Sequence, residues 1–434
     1  MDQEHANSAI RKATFRLIPF LCLCYAVSFL DRVNVGFAAL AMNADLGFTA
    51  TIFGLGAGIF FVGYILFEIP SNLALHKVGA RLWIARIMIS WGLVATAMSL
   101  VSSANSFYAM RLLLGVAEAG FFPGIILYLT YWFPAATRAR IVSLFMVAVP
   151  IANVIGAPVS GALLGLEGVA GLTGWQWLFI IEGVPAVILG FVSLAVLTDR
   201  PERAAWLTEP EREALVAQLA AEAEATREAG YAGLVQGLTR PRVLGLGALY
   251  FCMVIGLYGI GFWMPQVIQR AGLSHLEVGF LTSIPYLFAA IAMVLWGWHS
   301  DRTGERTWHV ALPLFLSAAA FAWSALSGSL PVTMVALTLA TIGIYAAIGP
   351  FWSFPTALLT GTAAAAGLAL VNSIGNSGGL VAPSVVGWLK DATGTFAAPL
   401  LFLSGALALG GVLAVYVSRT VSGRKWPPGS GVSK

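Results

Sequence analysis

Four charged residues stand where charge is costly. Asp31 and Arg32 lie side by side in Ser28-Phe29-Leu30-Asp31-Arg32-Val33-Asn34, inside an apolar stretch, and Arg111 and Glu118 lie in a second such stretch, Arg111-Leu112-Leu113-Leu114-Gly115-Val116-Ala117-Glu118. A charge at the centre of a membrane helix costs about 2.5–3.5 kcal/mol on insertion scales, so these residues must be paired, wetted or used. The residue types state the use. A carboxyl group can take up and release a proton, and a guanidinium is a planar fork of donors that grips a carboxylate through two parallel hydrogen bonds. On a helix, Arg111, Gly115, Glu118 and Phe122 follow at i, i+4, i+7 and i+11 and form one stripe, with Arg111 and Glu118 about 10 Å apart along the axis. Ser28, Asp31 and Asn34 form a second polar stripe. Structural ion pairs that clamp helices together are the plainer alternative. Two further acids, Glu68 and Glu182, are expected to serve structure.

The second half of the chain carries no Asp, Glu, Lys, Arg or His away from the ends of its apolar stretches. It offers Trp352, Asn372, Ser373, Asn376 and Ser377, with Asn372, Asn376, Gly379 and Pro383 again at i, i+4, i+7 and i+11. The expected cavity is therefore asymmetric, with charge chemistry in the first half and hydrogen bonding and stacking in the second.

The elements that position these groups follow from composition. The chain has 434 residues, 59% hydrophobic and only 10% charged, with mean hydropathy +0.84. Soluble domains carry about 25% charged residues, so lipid is the solvent here. A span needs about 20 apolar residues. Twelve such stretches occur, at roughly 16–40, 52–75, 82–101, 106–132, 140–165, 175–197, 243–268, 277–299, 309–327, 331–353, 363–388 and 396–418. The expectation is an all-α membrane protein of twelve transmembrane helices in two six-helix halves, 1–198 and 243–434. The polar run 199–242 joins them as a linker whose Pro210 and Glu-rich start announce a short amphipathic helix. Alternation of the β-barrel kind is missing. Of 24 Lys and Arg, Arg32 and Arg111 lie within helices and only Arg270 and Lys390 fall on one predicted side, so twenty fall on the other. The positive-inside rule then places both termini in the cytoplasm of a cell whose inner membrane the chain spans many times. Basic residues that hug helix ends give no nucleic-acid surface. Cys22, Cys24 and Cys252 sit in apolar helices as packing thiols, and five scattered His give no metal-ligand spacing, so neither a metal nor another cofactor is expected.

An internal repeat is visible. Gly79 and Gly304, Arg81 and Arg306, Lys77 and Arg302, and Pro158 and Pro383 are each separated by the same 225 positions. One register joining distant motif pairs identifies parallel six-helix repeats, an arrangement that binds substrate between them at the midplane.

Gly297-Trp298-His299-Ser300-Asp301-Arg302-Thr303-Gly304-Glu305-Arg306 resembles the G-x-x-x-D-R-x-G-x-[RK] loop signature of the major facilitator superfamily. The first-half copy departs from it, with His76 where the Asp is usual and Asn72 where the Gly is usual. A gating role is expected for Asp301, Arg302, Arg306, Lys77 and Arg81, in which Asp301 meets an Arg or a helix N-terminus in one conformation and releases it in another. The Ser28–Asn34 and Arg111–Glu118 segments, the latter continuing through Ala119-Gly120-Phe121-Phe122-Pro123-Gly124, together with Glu68-Ile69-Pro70-Ser71-Asn72, Gly79-Ala80-Arg81-Leu82-Trp83-Ile84 and Asn372-Ser373-Ile374-Gly375-Asn376, are similar to the anion:cation symporter branch of that superfamily over nearly the whole chain. Within the branch they resemble the tartrate and phthalate carriers. The resemblance implies that Asp31 and Glu118 take up protons, that Arg32 and Arg111 bind the substrate carboxylate, and that Tyr64, Trp352 and Asn372 line the site, with Asn376 a further candidate. The expected function is proton-coupled uptake of a small organic anion, a dicarboxylate such as tartrate, by a monomer. A sugar acid of the galactonate or glucarate kind, or an aromatic carboxylate such as phthalate or 4-hydroxyphenylacetate, is the alternative. A membrane-embedded enzyme or sensor and a drug or cation exporter fit less well, because no nucleophile has a partner base and each acid has an Arg neighbour.

Overall fold

The computed structural model describes residues 2–228, 241–358 and 362–421; the linker segment 229–240 and the basic residues Arg424, Lys425 and Lys434 lie outside them. Within the described residues every regular element is helical. In chain order they are α1 (Asp2–Val33), α2 (Val35–Asp45), α3 (Ala50–Val78), α4 (Ala80–Ala97), α5 (Ala104–Glu118), α6 (Phe121–Trp132), α7 (Ala135–Met146), α8 (Ala148–Leu163), α9 (Gly174–Val196), α10 (Glu209–Glu228), α11 (Pro241–Gln269), α12 (His275–Thr303), α13 (Thr307–Leu326), α14 (Leu330–Leu358), α15 (Thr362–Thr393) and α16 (Ala397–Val421). The pairs α1–α2, α5–α6 and α7–α8 are each one span interrupted, at Asn34, at Ala119–Gly120 and at Val147. Ten segments are long and apolar enough to cross a bilayer; α7–α8, with the shorter apolar helix Ala148–Leu163, and α15 complete the twelve.

The chain forms two compact units that interleave along the sequence. One comprises Met1–Arg32, Val62–Ala152 and Gln176–Ala229; the other comprises Val33–Phe61, Asn153–Trp175 and Gly230–Lys434.

In the first unit, helix ends are tied by acids. The Asp199 carboxylate accepts the Arg81 amide at 2.9 Å and caps α4, supplying the acid that position 76 lacks. Helix α10 docks on α1 through Glu211, which accepts from the Ser8 hydroxyl at 2.7 Å and Lys12 at 2.8 Å, and from the Thr208 amide at 3.0 Å at its own N-terminus. Burial works against ionisation of Glu211, but these donors outweigh it and hold its pKa down at about 2.

In the second unit, α2, the start of α3 and the end of α8 pack among α11–α16 through close backbone approaches at small residues. A Cβ on Gly54 would lie 2.2 Å from the Pro383 carbonyl oxygen, and one on Gly279 would lie 3.1 Å from Pro158 Cα and 2.6 Å from the Ala157 carbonyl oxygen. Gly54 and Gly279 are themselves 225 positions apart, so the register read from sequence carries one contact onto the other. Asp391, at the end of α15, accepts the amides of Ala50 at 3.1 Å and Thr51 at 2.7 Å and the Thr51 hydroxyl at 2.6 Å, capping α3.

Candidate functional site

The four intramembrane charges converge in the first unit, but not along the lines their sequence neighbours suggest. Arg32 does not turn to Asp31 beside it. Its guanidinium forms an ion pair with Glu118 and lies over the Tyr64 ring, 5.1 Å from the centroid. Glu118 also accepts the Ser28 hydroxyl at 2.7 Å. Ser28 of the α1 stripe and Glu118 of the α5 stripe thus meet across the two helices. Asp31 instead accepts the indole N–H of Trp91, on α4, at 2.7 Å. All of these side chains are buried: Arg111 and Glu118 show no exposure at all, and Asp31 shows 2%. Charges so enclosed in apolar surroundings interact strongly, because little water screens them. The cluster contains two acids and two guanidinium groups, with the Tyr64 face completing the seat of Arg32.

The backbone explains how Glu118 comes to face α1. Helix α5 ends at Glu118, Ala119 is extended (φ −54°, ψ 132°), and Gly120 is left-handed (φ 83°) before α6 starts at Phe121. A Cβ at Gly120 would lie 2.3 Å from Ser71 Oγ, so both the dihedral and the packing require glycine. Such a break leaves helix-end groups without helical partners, and it is tolerated in a membrane only where protein encloses it. Here the Ser71 hydroxyl beside it is held by the Trp83 indole at 3.0 Å.

The remaining binding candidates lie in the second unit. Asn372 and Asn376 are buried on α15, each 9% exposed. Trp352, on α14, meets Tyr250 edge-on at 5.0 Å, while Tyr250 stacks on Phe351 at 5.0 Å with 9° between the rings. Trp352 is thus one member of an aromatic cluster with Tyr250 and Phe351. Position 375 has room for nothing but glycine: a Cβ there would lie 1.9 Å from the Tyr250 ring.

Of the loop residues, Asp301 pairs with Arg306 at 2.7 Å, and Arg306 also donates to the Ser300 hydroxyl at 2.8 Å across the left-handed Gly304 that closes α12. Arg302 lies over the Trp298 ring. Lys77 and Arg81 project from the corresponding turn with exposed side chains. Glu68 and Glu182 are buried in α3 and α9. Among the described residues no group of three or more His, Cys, Asp or Glu is placed to hold a metal ion.

Sequence reasoning missed Trp91 and the α5–α6 break. Gly120 and Pro123 within Ala119–Gly124 were the available signal for the break. A Trp inside an apolar helix gives no sign of where its N–H points.

Comparison with known proteins adds three findings. The family described as Major Facilitator Superfamily matches residues 21–383. Two relatives from Agrobacterium vitis, each named "Putative tartrate transporter", are 55% identical over 95% of this chain and 91% of their own length, and 54% identical over 97% of each. The crystal structure of a bacterial homologue of the human lysosomal transporter Spinster superposes with a TM-score of 0.78, covering 96% of this chain and 99% of that one at 18% identity, a likeness of fold.

Proposed function

Because the chain belongs to the Major Facilitator Superfamily, and is therefore a multi-pass membrane transporter rather than an enzyme, we propose that it imports a small dicarboxylate such as tartrate together with protons, by alternating access. The observation that carries this reading is the engagement of Arg32 by Glu118. Arg32 is the natural ligand for a substrate carboxylate, since its fork matches two oxygens at once. In the structure that fork is held by an internal carboxylate. An arriving anion competes for it, and Glu118, released from its partner in an enclosed site, takes a proton. Substrate and proton thereby occupy the site together, which is the requirement for symport. Arg111, wholly buried in the same unit, is the second guanidinium for a second carboxylate. Asp31 is the second proton site. Asn372, Asn376 and Trp352 supply hydrogen bonds and stacking for the rest of the substrate.

The names of the Agrobacterium relatives support tartrate. The aromatic cluster of Tyr250, Phe351 and Trp352 supports a second reading, a planar aromatic dicarboxylate. The halves 1–198 and 243–434, joined by 199–242, move against each other in this reading, with both termini in the cytoplasm of a bacterial cell and the protein working as a monomer. The reciprocal Gly54–Pro383 and Gly279–Pro158 contacts support the repeat on which that motion rests. Asp301 and Arg306 fasten one gating loop, and Lys77, Arg81 and Arg302 hold the charged turns at the membrane surface. No cofactor takes part.

The test is uptake into proteoliposomes under an inward proton gradient, with tartrate, phthalate and galactonate compared. Tartrate uptake that collapses with the gradient is expected; uptake of the monoanion alone would overturn the dicarboxylate.

A further inference from the structure

We propose that Trp91 is a positioning residue that links the two proton-coupling acids, its indole N–H fixing the Asp31 carboxylate while its ring bears on the break that carries Glu118. This inference rests on the proton-coupled reading above and assigns that site a member outside the charged set.

Trp91 is fully buried, and its N–H lies 2.7 Å from Asp31 Oδ2. An indole N–H only donates. Its bond to a carboxylate is charge-assisted and is weaker when the acid is neutral. The other Asp31 oxygen, Oδ1, accepts no hydrogen bond from a described residue, so a proton arriving from water has an oxygen to occupy while Oδ2 stays with the indole. The indole ring also meets Phe121 edge-to-face, with centroids 4.9 Å apart and planes at 71°. Phe121 is the first residue of α6, and only Ala119 and Gly120, extended and left-handed, separate it from Glu118. Asp31 and Glu118 therefore share a rigid aromatic spacer as well as an electrostatic interaction.

The spacer is itself anchored. Beside Trp91, a Cβ on Gly92 would lie 2.8 Å from the Val187 amide nitrogen, and one on Gly183 would lie 2.7 Å from the Thr96 amide nitrogen. Helices α4 and α9 thus approach closely one residue along from Trp91, which fixes the backbone that carries the indole. The charged and titratable groups around Asp31 are Glu182 on α9, Glu118 on α5 and Arg32 next along α1. The Asp31–Trp91–Phe121 chain gives protonation of Asp31 a mechanical route to Glu118: loss of the carboxylate charge loosens the indole, and the indole sets the place of Phe121.

The experiment is the pH profile of gradient-driven tartrate uptake in proteoliposomes. Trp91→Phe keeps the ring against Phe121 and removes the N–H; it is expected to displace the midpoint of the profile by at least about half a pH unit, a threefold change in proton affinity. Phe121→Leu, which changes neither acid nor the indole N–H, is expected to displace it as well, and an unmoved midpoint there overturns the link through Phe121. An unmoved midpoint in Trp91→Phe overturns the inference. Should that variant fail to fold, the wild type carries the test. With 5-fluorotryptophan at its 14 Trp positions, one fluorine resonance is expected to titrate with the midpoint of uptake and to stop titrating in Asp31→Asn; absence of such a resonance overturns the inference. If gradient-driven uptake survives Asp31→Asn intact, the proton-coupled reading itself falls, and that result is distinct from an unmoved Trp91→Phe profile.

Discussion

At the scale of single residues, the chemistry of this transporter turns on which partner a buried charge keeps. Arg32 is shared in turn by Glu118 and, in the proposed cycle, by substrate, so Glu118→Gln removes the internal competitor together with the proton site. That variant is expected to lose gradient-driven uptake while retaining exchange of labelled for unlabelled tartrate across the membrane. Retention of full gradient-driven uptake in both Asp31→Asn and Glu118→Gln would show that neither acid carries the coupling. Lysine keeps the charge of arginine but not its planar fork. Arg32→Lys and Arg111→Lys should each weaken tartrate binding at least about tenfold, roughly 1.4 kcal/mol, measured by titration calorimetry on the purified protein. Normal affinity in both would remove the guanidinium clamp. The four charges were legible in the sequence because a charge in an apolar run is conspicuous in one dimension. Their pairing was not: Arg32 and Glu118 are 86 positions apart, and spacing along one helix pointed each acid to an arginine nearby in the chain. Trp91 was invisible for the opposite reason, since its role depends on the direction of one N–H in a helix of similar residues.

At the scale of elements, hydropathy gave the twelve spans, because the bilayer imposes a length that a sequence must meet. It could not give the interruptions, which depend on dihedrals at single positions. Gly120 is the clearest case. Alanine there meets both a left-handed backbone, costing about 1–2 kcal/mol, and the Ser71 hydroxyl. Gly120→Ala should lower the melting temperature in detergent by several degrees and depress uptake; an unchanged melting temperature and full uptake would mean the break is not needed. A second element-scale prediction concerns α10. Glu211 has its pKa lowered to about 2 against an ordinary value near 4.5, and a group depressed on docking lends stability that is present above its ordinary pKa and is lost as pH falls through the lowered one. The docking of α10 on α1 should therefore persist from neutral pH to about pH 4.5 and decline from there toward pH 2. Glu211→Gln should reproduce the loss at neutral pH, read as faster amide hydrogen exchange over 209–222. Protection unchanged in that variant would place the docking elsewhere. The loop copies show a related limit of sequence reading. His76 stands where an acid belongs in the pattern, and the acid that caps the neighbouring helix arrives from Asp199, far along the chain.

At the scale of the whole molecule, the bias of basic residues predicts that reporter fusions at Arg240 and Lys434, both outside the described residues, will report cytoplasm; an external Lys434 would reverse the orientation. Charge also predicts the energetics of transport. A membrane potential acts on a net charge by about 2.3 kcal/mol per 100 mV. A dianion carried with two protons is neutral, so tartrate uptake should respond to a pH gradient and be indifferent to an imposed potassium-diffusion potential, whereas a potential-driven current would indicate a monoanion or a further proton. The reciprocal glycine–proline contacts bear on the molecule's symmetry. Each takes its glycine from one repeat and its proline from the other, so residue i of the first meets residue j of the second, and residue i of the second meets residue j of the first. That exchange is the signature of an isologous, two-fold symmetric interface. It is the contact that two identical six-helix chains would make on pairing, so a substitution that adds bulk at Gly54 and one that adds bulk at Gly279 strike equivalent points of one symmetric seam.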